Sequence, residues 1–419
     1  MALYLTDARY IDARTLEIHE GRIIEVDEGP GGSIRFVDRV PPGATSLDCA
    51  GRLVTHAFAI GHHHIYSCLA RGMPPPKQPP TTFVQILERI WWRLDRRLDT
   101  EMIRASALAA GVAAARCGAT FIIDHHASPN AAEGCLHTIA DALDRVGLSH
   151  LLCCELSDRD GPGPRDAGLA ETARYLESRQ GLVGLHASFT VGDDLLDRAM
   201  DLARRFDTGV HVHVAEAESD QAHCMERHGV RCVQRFARAG ALDLPRTILA
   251  HCIHVDEPER ALIAGSRAWV AQQSESNQNN AVGHLDPRGF ADKVFLGTDG
   301  MHGDALAAAR ATYLAGSAVE GLSPVGAYRR LRRVHDYIES NAFEGDGPNN
   351  LVVLDYPSPT PITSENWPAH VVYGLTSRHV DSVISDGRVI VEHGRCTLVD
   401  EDEVYARAGE QARRLWSLL

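Results

Sequence analysis

The sequence predicts an α/β chain in which a TIM-like (β/α)8 barrel is joined by a small β-sandwich domain built from both chain ends. Three observations predict it. Eight short apolar segments, ending near His64, Asp124, Glu155, His186, His213, His251, Gln272 and Asp299, alternate with stretches of helical periodicity, the pattern of parallel strands linked by crossover helices. Residues able to do chemistry stand at the carboxyl ends of those segments, the face on which such barrels carry their sites. Both flanks are strand-rich, and two such flanks combine most simply into one further domain. A chain of 419 residues holds a barrel of roughly 250 residues plus that module, with divisions expected at 1–53, 54–345 and 346–419.

Taken in order, residues 3–5, 8–11 and 22–26 read as strands, with a Gly/Pro-rich turn at 29–32. Segment 53–60 reads as the first barrel strand and runs into His62-His63-His64. Alternation along a strand puts His62 and His64 on one face and His63 on the other. The prolines of 71–80 forbid a helix and predict an extended, exposed loop, placed either to act as a lid or to serve as a stiff connector. From Thr81 the apolar residues Phe83, Ile86, Leu87, Ile90, Trp91, Leu94 and Leu98 recur at helical spacing, which assigns Trp91 and Trp92 to packing. An alanine-rich helix at 100–117 leads to a strand at 119–126. Helices follow at 131–146, 168–179, 193–206, 219–239 and 257–265, and strands at 149–155, 182–186, 210–214, 247–251, 268–272 and 293–297. Residues 161–165 read as a turn-rich loop, too rich in proline to cradle a phosphate. Beyond the barrel, helices are expected at 306–314 and 326–341, strands at 351–356, 369–373, 380–385 and 387–391, with a hairpin turn at Ser385-Asp386-Gly387-Arg388, and a closing helix at 404–418.

A formal charge of −14 without a basic patch excludes nucleic acid and anionic membrane as partners and leaves small neutral or cationic molecules. The 10 cysteines form no Cys-x-x-Cys pair, and the adjacent Cys153 and Cys154 are poorly disposed for a disulfide, so they read as reduced thiols of a cytoplasmic protein. No basic-then-apolar leader and no bilayer-length apolar run is present, which predicts a soluble chain without membrane contact.

Two imidazoles on one face of a strand end make half of a metal site. The rest of the company lies downstream, in His211-Val212-His213-Val214-Ala215-Glu216, Ala250-His251 and Gly297-Thr298-Asp299-Gly300. With these in place the sequence resembles the amidohydrolase superfamily, in its cytosine-deaminase, chlorohydrolase (ATZ/TRZ-like) and guanine-deaminase branch. Within that branch it is most similar to aminohydrolases of the SsnA type, through His63-His64-Ile65-Tyr66-Ser67, Ala70-Arg71-Gly72-Met73, Trp91-Trp92-Arg93-Leu94-Asp95, Asp124-His125-His126-Ala127-Ser128-Pro129, Ser157-Asp158-Arg159-Asp160-Gly161 and Asn279-Asn280-Ala281-Val282-Gly283.

The resemblance implies that His62, His64, His213 and Asp299 bind a single divalent metal ion. Three imidazoles and a carboxylate suit zinc and leave a position for water, with iron and manganese also open. Binuclear relatives use a lysine at the end of the fourth strand, and 182–189 contains none. Glu216 is then the implied proton shuttle, His251 the group that hydrogen-bonds the attacking water or the substrate oxygen, and Asp299 a ligand that also orients the water. His186, His126 and Arg71 are the substrate-binding candidates, and His211 is expected to pack behind the ligands. The implied reaction is deamination of an amino-purine-, pterin- or pyrimidine-like heterocycle. Ring opening of a cyclic amide, hydrolysis of a carbon–halogen bond, or a catalytically silent ligand-binding protein are the alternatives. A homodimer is implied by the resemblance alone. Two stretches depart from the branch. His56-Ala57-Phe58-Ala59-Ile60 stands where Pro-Gly-Phe/Leu-Val/Ile-Asn is usual, and Gln272-Gln273-Ser274-Glu275-Ser276-Asn277 where His-Asn-Pro-x-Ser-Asn is usual; both leave the ligand set intact.

Overall fold

A computed structural model describes residues 2–419; Met1, the first residue of the expected amino-terminal segment, lies outside the described residues. Among the described residues, eight parallel strands follow one another in chain order around a barrel: Phe58–His63, Ala119–His126, Ser149–Leu156, Val183–Ala187, Val210–Val214, Ile248–His251, Trp269–Gln272 and Val294–Leu296. All but three of their residues are buried. Such strands face helices on one side and the barrel interior on the other, which explains their apolar run-on sequences. The last strand returns to the first: Thr298 N and Asp299 N both donate to His62 O, at 2.8 and 3.0 Å, and His64 N donates to Asp299 O at 3.2 Å. That seam brings the two ends of the barrel sequence together.

The small β domain expected of the two chain ends is a nine-stranded sheet. Leu53–His56 sits at its centre, parallel to Ala2–Ile11 and antiparallel to Leu351–Leu354. Segment 53–60 is therefore two strands in two sheets rather than one. The break at Ala57 is held by Arg332, whose Nη1 donates to His56 O (2.9 Å) and Ala57 O (2.8 Å) while Ala57 N donates to Asn350 O (3.0 Å). The hairpin turn expected at 385–388 is present, with Asp386 and Gly387 both at positive φ (47° and 74°), the backbone of a tight two-residue turn. Two short strands, Ile34–Val37 and Ser46–Asp48, were not foreseen.

Four further expectations are corrected. Residues 369–373 lie in a helix, Trp367–Tyr373, opened by Pro368; Trp367, Val371 and Val372 are buried at helical spacing, and the run of valines mimicked a strand. The expected helix at 219–239 is two, Glu218–His228 and Cys232–Arg238, separated where Gly229 turns left-handed (φ 65°). The proline-rich 161–165 begins a helix, Pro162–Leu176, since proline is at home in a first helical turn. Residues 71–80 form the expected extended loop but not a lid: Met73 and Pro74 to Pro76 lie against Arg89, Ile90, Arg93, Trp416 and Leu419, outside the barrel mouth. Arg89 Nη1 anchors the loop to Pro79 O at 2.7 Å.

All ten cysteines are unpaired, and no helix is long and apolar enough to cross a membrane, among the described residues. The tightest point of the seam is Gly61, where a Cβ would press into the Phe295 ring and come within 2.7 Å of Leu296 O. Gly61→Ala is expected to lower the unfolding free energy by about 1–3 kcal/mol through overpacking, measured by urea denaturation; an unchanged midpoint would show that the seam can give.

Candidate active site

At the carboxyl mouth of the barrel the first strand delivers His62, and the residue just beyond its end is His64. The fifth delivers His213, and the turn after the eighth delivers Asp299. His62 Nε2 lies 3.4 Å and His64 Nε2 3.1 Å from Asp299 Oδ1, and His64 Nε2 lies 3.2 Å from His213 Nε2. Residues separated by more than 200 positions thus converge on one point. His63 faces away, as strand alternation requires, with its Nδ1 2.9 Å from Thr298 Oγ1.

The other ring nitrogens fix which atoms face inward. His64 Nδ1–H donates to His125 O (2.6 Å) and His213 Nδ1–H to His186 O (2.8 Å). His62 Nδ1 meets His211 Nε2 at 2.8 Å, so His211 packs behind His62 and holds it. Each Nε2 is left facing into the site. His251 is the opposite case. Its donor atom lies within 4.8 Å of those of His62, His213 and Asp299, yet its Nδ1 accepts from Asn277 Nδ2 at 2.8 Å, which puts the ring proton on Nε2. His251 Nε2 lies 3.3 Å from Glu216 Oε2 and 4.0 Å from Asp299 Oδ2 with no hydrogen bond formed, so its N–H is free for the site.

The electrostatics ask for a cation. Burial pushes His62 down to about 3 and His213 well below the usual histidine range, leaving neutral rings with available lone pairs. Asp299 is held well below the usual carboxylate range: burial opposes the charge, but hydrogen bonds from His62 and His64 outweigh it. At His64 burial is overridden by Asp299, Glu155 and Asp124, and the ring is pushed up to about 9. His62 Nε2 is a buried atom without a hydrogen-bond partner. Neutral rings at His62 and His213, an ionised carboxylate and, at His64, a ring proton that a cation would displace fit a divalent ion. His251, Asp299 and Ala215 also share positive φ (72°, 51° and 50°), a conformation non-glycine residues rarely adopt and one that clusters at functional sites.

Glu216 lines the adjoining cavity, together with His64, His213 and Asp299. Burial, with the Asp299 and Asp220 charges, pushes its carboxyl well above the ordinary range. His186 also lines the cavity; its Nδ1 is tied to Thr190 Oγ1 at 2.6 Å. Two other candidates do not reach it. His126 turns into the protein, its Nε2 bonded to Ser128 Oγ (2.9 Å) and its ring against Tyr66; Arg71 is exposed at the start of the proline-rich loop.

The cavity's far wall was missed. Phe83, Leu87, Trp91, Trp92 and Asp95, on the helical stretch opened by Thr82, face Glu155, Arg159 and Phe189. The tryptophans assigned to packing therefore line the site. Helical spacing reports which residues share a face but not what that face meets. Arg159 is the one cationic side chain in the lining among the described residues, and it is spent: Nη2 bonds Asp95 Oδ2 and Nη1 bonds Glu155 Oε1, each at 2.7 Å, while its guanidinium lies 5.4 Å from the Trp92 ring. Burial, reinforced by Glu155, pushes Asp95 up to about 7 against the pull of Arg159. The only advance signals were Glu155 at a strand end and the Asp95 and Arg159 motifs.

Fold and cluster together set the class, a (β/α)8 barrel with a candidate metal centre at the carboxyl ends of its strands. The chain belongs to the amidohydrolase family, whose model matches residues 59–329. It is 27% identical to the 5-methylthioadenosine/S-adenosylhomocysteine deaminase of Pelotomaculum thermopropionicum, over 92% of this chain and 91% of that one, and 26% identical to the 5'-deoxyadenosine deaminase of Methanopyrus kandleri, over 97% and 96%. Its fold matches an adenosine deaminase from Xanthomonas campestris solved with bound zinc (TM-score 0.83, 17% identity, 99% and 98% of the two chains). It also matches the atrazine chlorohydrolase of Arthrobacter aurescens solved with zinc (TM-score 0.82, 17% identity, 99% and 100%).

Because Arg159 is 7% exposed between carboxylates exposed by only 2 and 3%, its loss strands two buried charges. Arg159→Met is expected to lower the unfolding free energy by about 3–5 kcal/mol in urea titrations; a loss below about 1 kcal/mol, the worth of an exposed pair, would contradict the geometry.

Proposed function

We propose that this protein is a metal-dependent aminohydrolase that removes an amino group from a flat nitrogen heterocycle of purine, pterin or pyrimidine type. The observation that carries the reading is the meeting of the inward-facing donors of His62, His64, His213 and Asp299 with the buried carboxyl of Glu216 beside them. The deaminases of adenosine-like compounds among its relatives support the same chemistry. A divalent ion held by those four side chains, zinc before iron or manganese by the nature of the donors, supplies a Lewis acid that brings the pKa of water to about 7.

The chain's own residues do the rest. Glu216, whose carboxyl its buried surroundings push up, is placed to take a proton from the attacking water and pass it to the departing nitrogen. The Nε2–H of His251, fixed by Asn277, steadies the oxygen that attacks, and Asp299 orients it. His186 presents its free nitrogen to the substrate, since Thr190 occupies the other. Trp91, Trp92 and Phe189 offer flat apolar surfaces to a heterocycle, and with Arg159 already paired the wall has no free cation for a phosphate. We further place the barrel between the two parts of the small sheet, with the first division moved from the expected 53 to just after His56, because Leu53–His56 pairs in the nine-stranded sheet, and the second kept at 345, and we place the protein in the cytoplasm, supported by the ten unpaired thiols.

Ammonia release across a panel of amino-purines, pterins and pyrimidines tests the proposal. Glu216→Gln is expected to lower kcat by about 10²–10⁴-fold with metal content unchanged. Equal rates for wild type and variant on every compound would sink it.

A further inference from the structure

A second cluster of ligand-type side chains lies at the opposite end of the barrel, where it meets the sheet of the chain ends. His56 closes the strand Leu53–His56, His335 stands on the helix Pro324–Ser340, and Asp346 lies in the turn that leads to Leu351–Leu354. One donor atom from each lies within 4.8 Å of the others. His335 Nδ1 is 2.7 Å from Asp346 Oδ2, His56 Nε2 is 3.3 Å from Asp346 Oδ1, and the two imidazole centroids are 4.3 Å apart. From these residues we propose a second, structural metal site for a zinc-class divalent ion, held by His56, His335 and Asp346.

Two observations point to a ligand rather than to a hydrogen-bonded triad. His56 Nε2 and Asp346 Oδ1 face each other, yet both are buried atoms with no hydrogen-bond partner; the Asp346 side chain is only 3% exposed. An unpaired acceptor this deep is costly unless something satisfies it. Their separation is also that of two ligands of one small cation. Two donors at about 2.0–2.1 Å from a tetrahedral ion stand about 3.3–3.4 Å apart, and the His–Asp spacings of 3.1 and 3.4 Å at the first centre bracket the 3.3 Å found here. Two imidazoles and one carboxylate form a donor set matched to zinc, with a fourth position open on the side where His56 is 20% exposed.

The protonation states are ready for an ion. Burial pushes His335 down to about 4, so its ring is neutral; His335 and His56 hold Asp346 ionised although burial opposes the charge. The other charges nearby are Arg332, which is engaged with the His56 and Ala57 carbonyls and stacked on Phe58 and Tyr328, and Asp386 across the turn. Coordination would exchange the His335–Asp346 hydrogen bond for bonds to the ion. It would clamp the start of the barrel, its last helix and the carboxyl-terminal sheet at one point. It also gives His56, which stands where the branch usually has another residue, a part to play.

The test is metal stoichiometry. Protein stripped with a chelator, reloaded with Zn²⁺ and desalted is expected to retain about two zinc equivalents per chain in the wild type and about one in Asp346→Asn and in His56→Gln, by elemental analysis. Far-UV circular dichroism confirms that each variant is folded; should Asp346→Asn unfold, the milder His56→Gln decides alone. Wild type retaining no more zinc than folded His56→Gln would overturn the site.

Discussion

The seam between the first and last barrel strands is the constraint on which the rest of the structure depends. One carbonyl, His62 O, accepts from the backbone of both Thr298 and Asp299, and the same stretch of chain carries His62, His64 and Asp299 as side chains. Closing the barrel and assembling the candidate metal centre are therefore one event. Glycine at 61 and 297 is what lets the strands approach, because a Cβ at either would run into the neighbouring chain. A site built on this seam is as rigid as the barrel itself. That matters for a centre whose donors must hold their places to a fraction of an ångström.

Around the seam the protein buries an unusual number of imidazoles and settles each by the hydrogen bond made at its second nitrogen. Carbonyls of His125 and His186 orient His64 and His213, the His211 ring orients His62, and Asn277 sets His251 the other way round. Identical side chains thus acquire different roles from the groups that hold their second nitrogens. His125 is anchored in turn by the carbonyls of Leu185 and His211 at 3.2 and 3.1 Å. The wall opposite, with Trp91, Trp92 and the Asp95–Arg159–Glu155 chain, is a separate device. It shapes the cavity and consumes its own charge.

Legibility in the sequence followed the range of the interactions. Strand alternation within 58–64 separated His62 and His64 from His63, a local effect, and the eight-fold alternation of strand and helix located every barrel strand but the first to within about two residues. The runs that misled were those whose conformation is decided by neighbours. Residues 53–60 look like one strand until Arg332, almost three hundred positions away, takes the carbonyls at the break; the valines of 367–373 look like a strand until Trp367 demands a helical face. Trp91 and Trp92 show the same limit in the site. Their spacing was legible, and what lay across from them was not. His126 and Arg71 failed for the complementary reason, since standing beside a motif does not decide which way a side chain turns.

By itself the sequence determined the alternation that makes a barrel, the strand ends that carry ligand-type residues, and the acidic character of the chain, because each follows from period, composition and nearest neighbours. Only the tertiary structure decided which imidazole offers a lone pair and which an N–H, which aromatic residues line a cavity, and that His56, His335 and Asp346 meet at all. Those outcomes rest on hydrogen bonds and burial between residues tens to hundreds of positions apart, and no local pattern encodes the partner at the far end of such a contact.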